Sequence, residues 1–253
     1  MNVLVTGGTG ALGRHVVNQL RSQGHRARIL SRNPKGQVDA VQGDLSTGAG
    51  LLEAVSGMDA VIHAATQLTK LHATDVVGTR RLLAMAREEG VKHAVYVSIA
   101  GMEGVAYPYY KAKLAAEAVV QENIVPWSIL RATQFHTLME TFLEAFSRTP
   151  FLATVPFKWQ FQPVDPSEVA ARLVEVVVKE PAGHLPDFGG PEPRIFKSIA
   201  ESWLKARKLN KKLVPLPLPF KFSRHFASGR LLIPEHTDGK ITFEQYLEEK
   251  YPG

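Results

Sequence analysis

The chain begins with an apolar run, Val3-Leu4-Val5, that breaks at once into Thr6-Gly7-Gly8-Thr9-Gly10-Ala11-Leu12-Gly13. The next residues place Leu12, Val16, Val17 and Leu20 on one helical face. Three glycines three residues apart, between a strand signal and a helix signal, dictate a strand, a tight turn and a helix. Glycine lets the backbone turn sharply and lets a phosphate come close to the amides. The unpaired N–H groups of the new helix, at the positive end of its dipole, hold an anion. The expected anion-binding turn comprises Gly7, Thr9, Gly10, Ala11, Leu12 and Gly13. The spacing G-x-x-G-x-x-G differs from the commoner dinucleotide fingerprint G-x-G-x-x-G. The alternative is that these glycines serve only the turn.

Strand and helix signals then alternate. Strands are expected over 3–6, 27–31, 40–42, 60–64, 93–98 and 127–131, and helices over 12–22, 51–55, 74–89 and 109–123. Several strands are continuous apolar runs, as parallel strands covered on both faces require. The alternation predicts an α/β protein with a doubly wound parallel sheet, whose ligands bind beyond the carboxyl ends of the strands. Later signals predict helices over 135–147, 167–179 and 196–208, and one starting near Thr242. Asp165 is the expected N-cap of the second of these, with Pro166 at its first position. Strand fragments are expected over 151–155, 159–162 and 184–188, and a stiff extended segment over 214–219. The domain reading is a nucleotide domain over 1–190, with 132–162 contributing to the substrate side, and a small basic C-terminal lid or substrate region over 191–253.

Composition removes several classes of function. The chain of 253 residues has no cysteine, which excludes disulfides, thiolate catalysis and cysteine zinc sites. The nine histidines have no metal-ligand spacing, so no metal is expected. No apolar run approaches membrane-spanning length and no basic leader precedes the first strand, so a cytoplasmic protein without a membrane span is expected. The net charge of +6 is concentrated: from Arg194 to Arg230 the only acid is Glu201. That segment reads as a lid whose aromatics cover a bound substrate. Membrane-surface and nucleic-acid binding are the lesser readings, the last disfavoured by the lack of a helix-turn-helix pattern.

Gly43-Asp44-Leu45, Asp75-x-x-Gly78-Thr79, the strand ending Ser98-Ile99-Ala100-Gly101, and Pro108-Tyr109-Tyr110-Lys111-Ala112-Lys113 follow the glycine turn in order. With Arg131-Ala132-Thr133-Gln134-Phe135-His136, Pro163-Val164-Asp165 and Phe188-Gly189-Gly190-Pro191, the chain resembles the atypical short-chain dehydrogenase/reductase superfamily, and its NmrA-like NAD(P)-binding group in particular. The resemblance covers roughly residues 1–192 and implies a Rossmann-type fold and a nicotinamide cofactor. It also places Asp44 and Leu45 beside the adenine ring.

The second strand ends in Ser31-Arg32-Asn33-Pro34-Lys35, with no acid and two cations. A carboxylate there suits ribose hydroxyls, whereas an arginine fork suits a 2′-phosphate. NADP(H) is therefore expected over NAD(H), held by Ser31, Arg32 and Lys35. Ala64, Ala65 and Thr66 are small enough to run against the cofactor, and His63 reads as a packed strand histidine. Carbonyl reduction needs a proton donor. A tyrosine with a lysine four residues on, on one helical face, supplies one, because the nearby cation favours the phenolate. Tyr109/Lys113 and Tyr107/Lys111 both have this spacing. Pro108 at the helix start leaves Tyr107 outside, and the family's glutamate four residues past its lysine matches Glu117. The candidate catalytic set is Tyr109, Lys113 and Ser98, the last resembling the superfamily's substrate-binding serine. The alternative is a Tyr109 that lines the pocket while Lys113 binds cofactor ribose. Thr133 and Phe135 are expected at the cofactor, and Gln134 and His136 at the substrate, with packing as an equal option for His136. Two functions remain open. One is an NADPH-dependent oxidoreductase acting on a small carbonyl, quinone or imine-like acceptor. The other is a non-catalytic NADP-binding redox sensor of the NmrA-like type. A monomer or homodimer is expected in either case.

Overall fold

The structure is a computed structural model and describes residues 1–252. Its main sheet is formed by β1 (Asn2–Thr6), β2 (Arg26–Ser31), β3 (Ala40–Gln42), β4 (Ala60–His63), β5 (His93–Ile99), β6 (Trp127–Ala132) and β9 (Gly183–His184). Their order is β3-β2-β1-β4-β5-β6-β9, and the strands run parallel. The chain winds outward from β1 in one direction and from β4 in the other. The reversal between these two strands is the place where open α/β sheets bind ligands.

Helices α1 (Gly13–Ser22), α2 (Leu51–Val55), α3 (Gly78–Glu88) and α4 (Pro108–Gln121) fall where the apolar periodicity puts them. Leu4, Val61, Leu82, Ala116 and Ile129 belong to one buried apolar cluster. Full burial of each such side chain stabilises by roughly 1.5–3 kcal/mol. Two expected elements differ. The helix expected over 74–89 opens as a π-helical turn, His72–Val77, before α3 starts. In that turn the buried Asp75 carboxylate accepts from Thr66 Oγ1 at 2.7 Å. The strand expected over 184–188 is the short β9 plus a lone bridge between Phe188 and Ala132. Pro186 lies between them and has no N–H to give to a ladder.

The chain divides into two compact units and crosses between them several times. Met1–Ser98, Pro108–Arg131 and Ser167–Pro186 form the first unit. Ile99–Tyr107, Ala132–Pro166 and the chain from Asp187 onward form the second. The second unit contains α5 (His136–Phe146), α7 (Phe196–Ala206) and α9 (Phe243–Lys250). It also has two small sheets: β7 (Leu152–Val155) parallel to β11 (Lys212–Pro215), and β8 (Gln160–Phe161) antiparallel to β10 (Arg194–Ile195). Trp159, Phe161, Phe196 and Phe226 pack ring against ring, with centroids 4.9–6.2 Å apart. Phe226 lies on α8 (Lys221–Ala227), which follows the proline-rich stretch and has no clear sequence signal. Helix α6 (Pro166–Val177) begins with the expected proline. No helix among the described residues is long and apolar enough to cross a membrane.

Candidate functional site

The glycine turn lies at the sheet's reversal. Gly7 leaves β1 with φ +72°, and a Cβ there would meet the backbone of Ala64 and Ala65, just beyond β4, at 2.9 Å. A Cβ on Gly13 would come within 2.1 Å of the Gly7 carbonyl oxygen. Both positions thus exclude any side chain on internal grounds alone. Gly10 is exposed and its N–H donates to Gly7 O at 2.9 Å. Helix α1 starts without a side-chain cap or an acid in its first turn. Arg14 N–H donates to Gly10 O at 3.2 Å and His15 N–H to Leu12 O at 3.0 Å, so the helix start offers a pyrophosphate the positive end of its dipole and the glycine turn before it.

A row of polar side chains runs across the adjoining strands. The register aligns Thr6, His63 and Tyr96 on β1, β4 and β5. His63 Nδ1 bonds Thr6 Oγ1 at 2.6 Å and its Nε2 bonds Thr79 Oγ1 at 2.8 Å. Burial drives its pKa down to about 3, so the ring is neutral and structural. Tyr96 packs on it with centroids 5.3 Å apart. Lys113 Nζ lies over the Tyr96 ring, 4.2 Å from its centroid, and donates to Val97 O at 2.7 Å. Lys113 is 4% exposed. Burial lowers its pKa to about 8, with Asp75 and Glu117 acting in the opposite sense.

Tyr109 lies half-buried one turn before Lys113 on α4, its ring 5.9 Å from that of Tyr110. Lys111 is exposed, so the pair with the buried lysine is Tyr109/Lys113. Tyr107 precedes α4 and packs on Phe222 and Phe226 instead. Glu117 makes a bidentate ion pair with Arg131, at 2.7 and 2.9 Å, and is a structural group. Ser98 is 3% exposed and its hydroxyl has no partner in the protein, as is also true of the Tyr96 hydroxyl. Two residues apart on a strand, both side chains point to one face. Asp75 and Tyr96 are the members of this cluster not singled out from the sequence as site residues. Asp75 stands in the Asp75-x-x-Gly78-Thr79 motif, and the π-helical turn is the structural signal that marks it.

At the end of β2, Arg32 and Lys35 are exposed and Ser31 half-buried. Asp44 accepts from the Ser46 hydroxyl and N–H, each at 2.7 Å. The hydroxyl bond holds its pKa down, and Lys70 and Arg32 add to the effect. Lys70 is a third cation of this neighbourhood. Leu45 is buried against Gly78 in the apolar cluster. Ala64 and Ala65 are half-buried and Thr66 is exposed.

In the second unit, the segment after β6 is clamped on both sides. Thr133 N–H donates to Phe188 O at 3.0 Å and Val164 N–H to Gln134 O at 2.9 Å. His136 N–H donates to Val164 O at 3.0 Å, and Thr133 Oγ1 accepts from Gly190 N–H. Phe135 is half-buried and bridges Val164. His136 is fully buried, bonded through Nε2 to Ile241 O and packed on Phe243 and Tyr246. Burial lowers its pKa. Gln134 is buried, with neither end of its amide paired. Among the described residues no group of His, Cys, Asp or Glu is placed to hold a metal ion.

The comparisons with known proteins agree with the fold. Residues 7–148 match a family model described as NAD(P)H-binding. The photosystem II assembly factor Ycf39 of Trieres chinensis is 30% identical over 168 residues, which cover 61% of this chain and 53% of the relative. The (4-alkanoyl-5-oxo-2,5-dihydrofuran-3-yl)methyl phosphate reductase of Streptomyces griseus is 29% identical over 190 residues, covering 72% and 64%. The chain thus spans about half to two-thirds of these relatives' own lengths. A short-chain dehydrogenase/reductase superfamily protein from Agrobacterium tumefaciens, solved with bound NAD, has the same fold. Its TM-score is 0.75, with 21% identity and 98% and 95% of the two chains covered. UDP-glucose 4-epimerase of Thermotoga maritima, solved with UDP-glucose, superposes with a TM-score of 0.77 at 18% identity, covering 98% and 96%. This chain belongs to the NAD(P)H-binding family.

Proposed function

We propose that the protein is an NADP(H)-preferring reductase that acts on a small carbonyl, quinone or imine-like acceptor. The observation that carries this reading is Lys113, a buried ammonium one helical turn after Tyr109. The chemistry the cofactor supplies when bound is hydride donation. The glycine turn and the dipole of α1 hold its pyrophosphate, and Arg32 with Lys35 holds the 2′-phosphate. Tyr109 gives its phenolic proton to the acceptor oxygen as negative charge develops there. Lys113 favours the resulting phenolate by its charge. The unpaired Ser98 hydroxyl orients the acceptor oxygen. In the same reading the basic region 191–253 serves as the substrate lid.

NADPH consumption against a panel of quinones, aldehydes, ketones and imines tests the proposal. Turnover with at least one acceptor is expected, and Tyr109→Phe should lower kcat by about a hundredfold or more while NADPH titration stays normal. A Tyr109→Phe protein that turns over at the parental rate removes the proton-donor role. One observation favours the second reading, a cofactor-binding regulator without chemistry: Lys113 is already engaged by Val97 O and the Tyr96 face. NADPH binding with no turnover across the panel would select it.

A further inference from the structure

At one corner of the second unit an exposed apolar tip meets a set of cations. Phe151 is 79% exposed and Leu152 40%, where β7 begins. The register of β7 with β11 sets Leu152 beside Lys212 and Ala153 beside Leu213. Lys212 N–H donates to Phe151 O at 2.9 Å. Lys211 Nζ donates to Ser147 O at 2.6 Å and to Thr149 O at 2.9 Å, and Thr149 Oγ1 donates to Leu152 O at 2.7 Å. These bonds hold the turn that carries Phe151, so the ring is presented to water by an ordered backbone.

Beside the tip, an open cavity at the end of α7 is lined by Leu204, Leu209 and Leu213 together with Lys205, Lys208 and Lys211. Helix α7 ends in a Schellman turn, with Lys208 N–H donating to Lys205 O and Leu209 N–H to Leu204 O. The left-handed position of such a turn is usually glycine. Here it is Lys208, with φ +52°. The turn itself does not call for a cation. The nearby acids are already neutralised: Glu201 pairs with Lys197 at 3.4 Å and Glu144 with Arg207 at 3.7 Å. Arg148, Lys205, Lys208 and Lys212 are exposed and have no ion-pair partner among the described residues.

We infer that this corner docks on an anionic bilayer surface. Phe151 and Leu152 enter the boundary between headgroups and acyl chains, and Arg148 and the lysines meet the lipid phosphates. The uncompensated cations select an anionic partner. The apolar part selects lipid over nucleic acid, because leucines give acyl chains a surface but cannot stack on a base. Lysine stems lie along such a surface while their ammonium groups reach the phosphates. All of these residues belong to the second unit, and none is assigned to the cofactor or to catalysis.

Flotation of the full chain with vesicles tests the docking. Vesicles of phosphatidylglycerol and phosphatidylcholine in equal parts should carry the protein, and pure phosphatidylcholine should not. The net charge of +6 alone would give some binding to anionic lipid, so the tip decides. Phe151→Ser should weaken binding to the anionic vesicles by about tenfold. Lys208→Ala combined with Lys212→Ala should weaken it by about thirtyfold. Val38→Ser, at a comparably exposed apolar position of the first unit, should leave it unchanged. Phe151→Trp should keep the binding, and its emission should shift to the blue, relative to the parent, when anionic vesicles are added, as the indole enters the interface. Full affinity in Phe151→Ser, or no blue shift in Phe151→Trp, overturns the proposal, because charge alone then holds the protein on the vesicle. Equal weakening by Val38→Ser overturns it too. So does duplex DNA that binds the parent and is lost with the lysine variant while anionic vesicles fail to bind, since the corner then serves nucleic acid. If Phe151→Ser melts below the parent, the blue shift of Phe151→Trp decides.

Discussion

Arg32 is the residue on which cofactor choice turns. It ends β2 without a neighbouring acid in sequence, and its charge reaches Asp44 across the loop. A charge-assisted bidentate contact contributes roughly 1.5–3 kcal/mol. Arg32→Ala should therefore weaken NADPH by about ten- to a hundredfold in fluorescence titrations and leave NADH nearly unchanged. Equal loss for both cofactors would reject the assignment. Lys113 sets a second test. Burial brings its pKa to about 8, so the side chain is charged below that pH and neutral above it. If its charge supports turnover, kcat/KM should fall on the alkaline side with an apparent pKa near 8. Lys113→Met should lose that limb together with most of the rate.

At the scale of the element, the glycine turn and α9 each hang on one atom-level constraint. Gly13 opens α1 where a Cβ would strike the Gly7 carbonyl at 2.1 Å. Overpacking of this kind costs about 1–3 kcal/mol, or roughly 3–10 °C in Tm for a chain of this size. Gly13→Ala should show that loss in a thermal melt together with weakened NADPH binding. Helix α9 is tied to α5 through Glu140, which accepts from Tyr246, Lys250 and Tyr251, the last at 2.7 Å, and from Trp203 at 3.4 Å. Its carboxylate is nearly buried, and those donors keep its pKa down despite burial. Glu140→Ala should destabilise by about 3–5 kcal/mol in urea unfolding and expose the chain around α9 to trypsin. Resistance equal to that of the parent would show that packing alone holds α9.

Over the whole molecule, buried histidines set the response to acid. His63 and His93 in the first unit and His136 in the second all have pKa values lowered by burial. In the unfolded chain each takes a proton near pH 6.5, while in the folded state it resists. The histidine contribution to folding stability is thus level above pH 6.5. It falls by about 1.4 kcal/mol per pH unit from His63 alone, down to its folded value of about 3. Urea midpoints should hold between pH 7.5 and 6.5 and drop steadily from pH 6.5 to 5, and His63→Asn should flatten the slope. A midpoint that stays constant across this range would contradict a neutral, buried His63. The positive charge between Arg194 and Arg230 is partly tied down by comparison. Arg194 pairs with Glu244 at 2.9 Å, Arg207 with Glu144, and Lys211 donates to Ser147 O and Thr149 O.

The sequence by itself determined the parallel α/β sheet, the glycine turn at its first strand, the start of α4 at Pro108 and the family. These follow from local rules: glycine and proline restrict φ, and apolar periodicity decides which face is buried. Only the tertiary structure decided what each polar residue meets. Lys113 and Lys111 have the same spacing to a tyrosine, and only packing makes one buried and the other exposed. His63 has both ring nitrogens taken by threonines on other elements. Asp75 is buried within a π-helical turn, which no periodicity reports. Gln162 and Gln134 are alike in sequence, yet one finds three partners from distant segments and the other finds none. Burial and hydrogen bonding depend on segments far apart in the chain, and those segments meet only once the fold is complete.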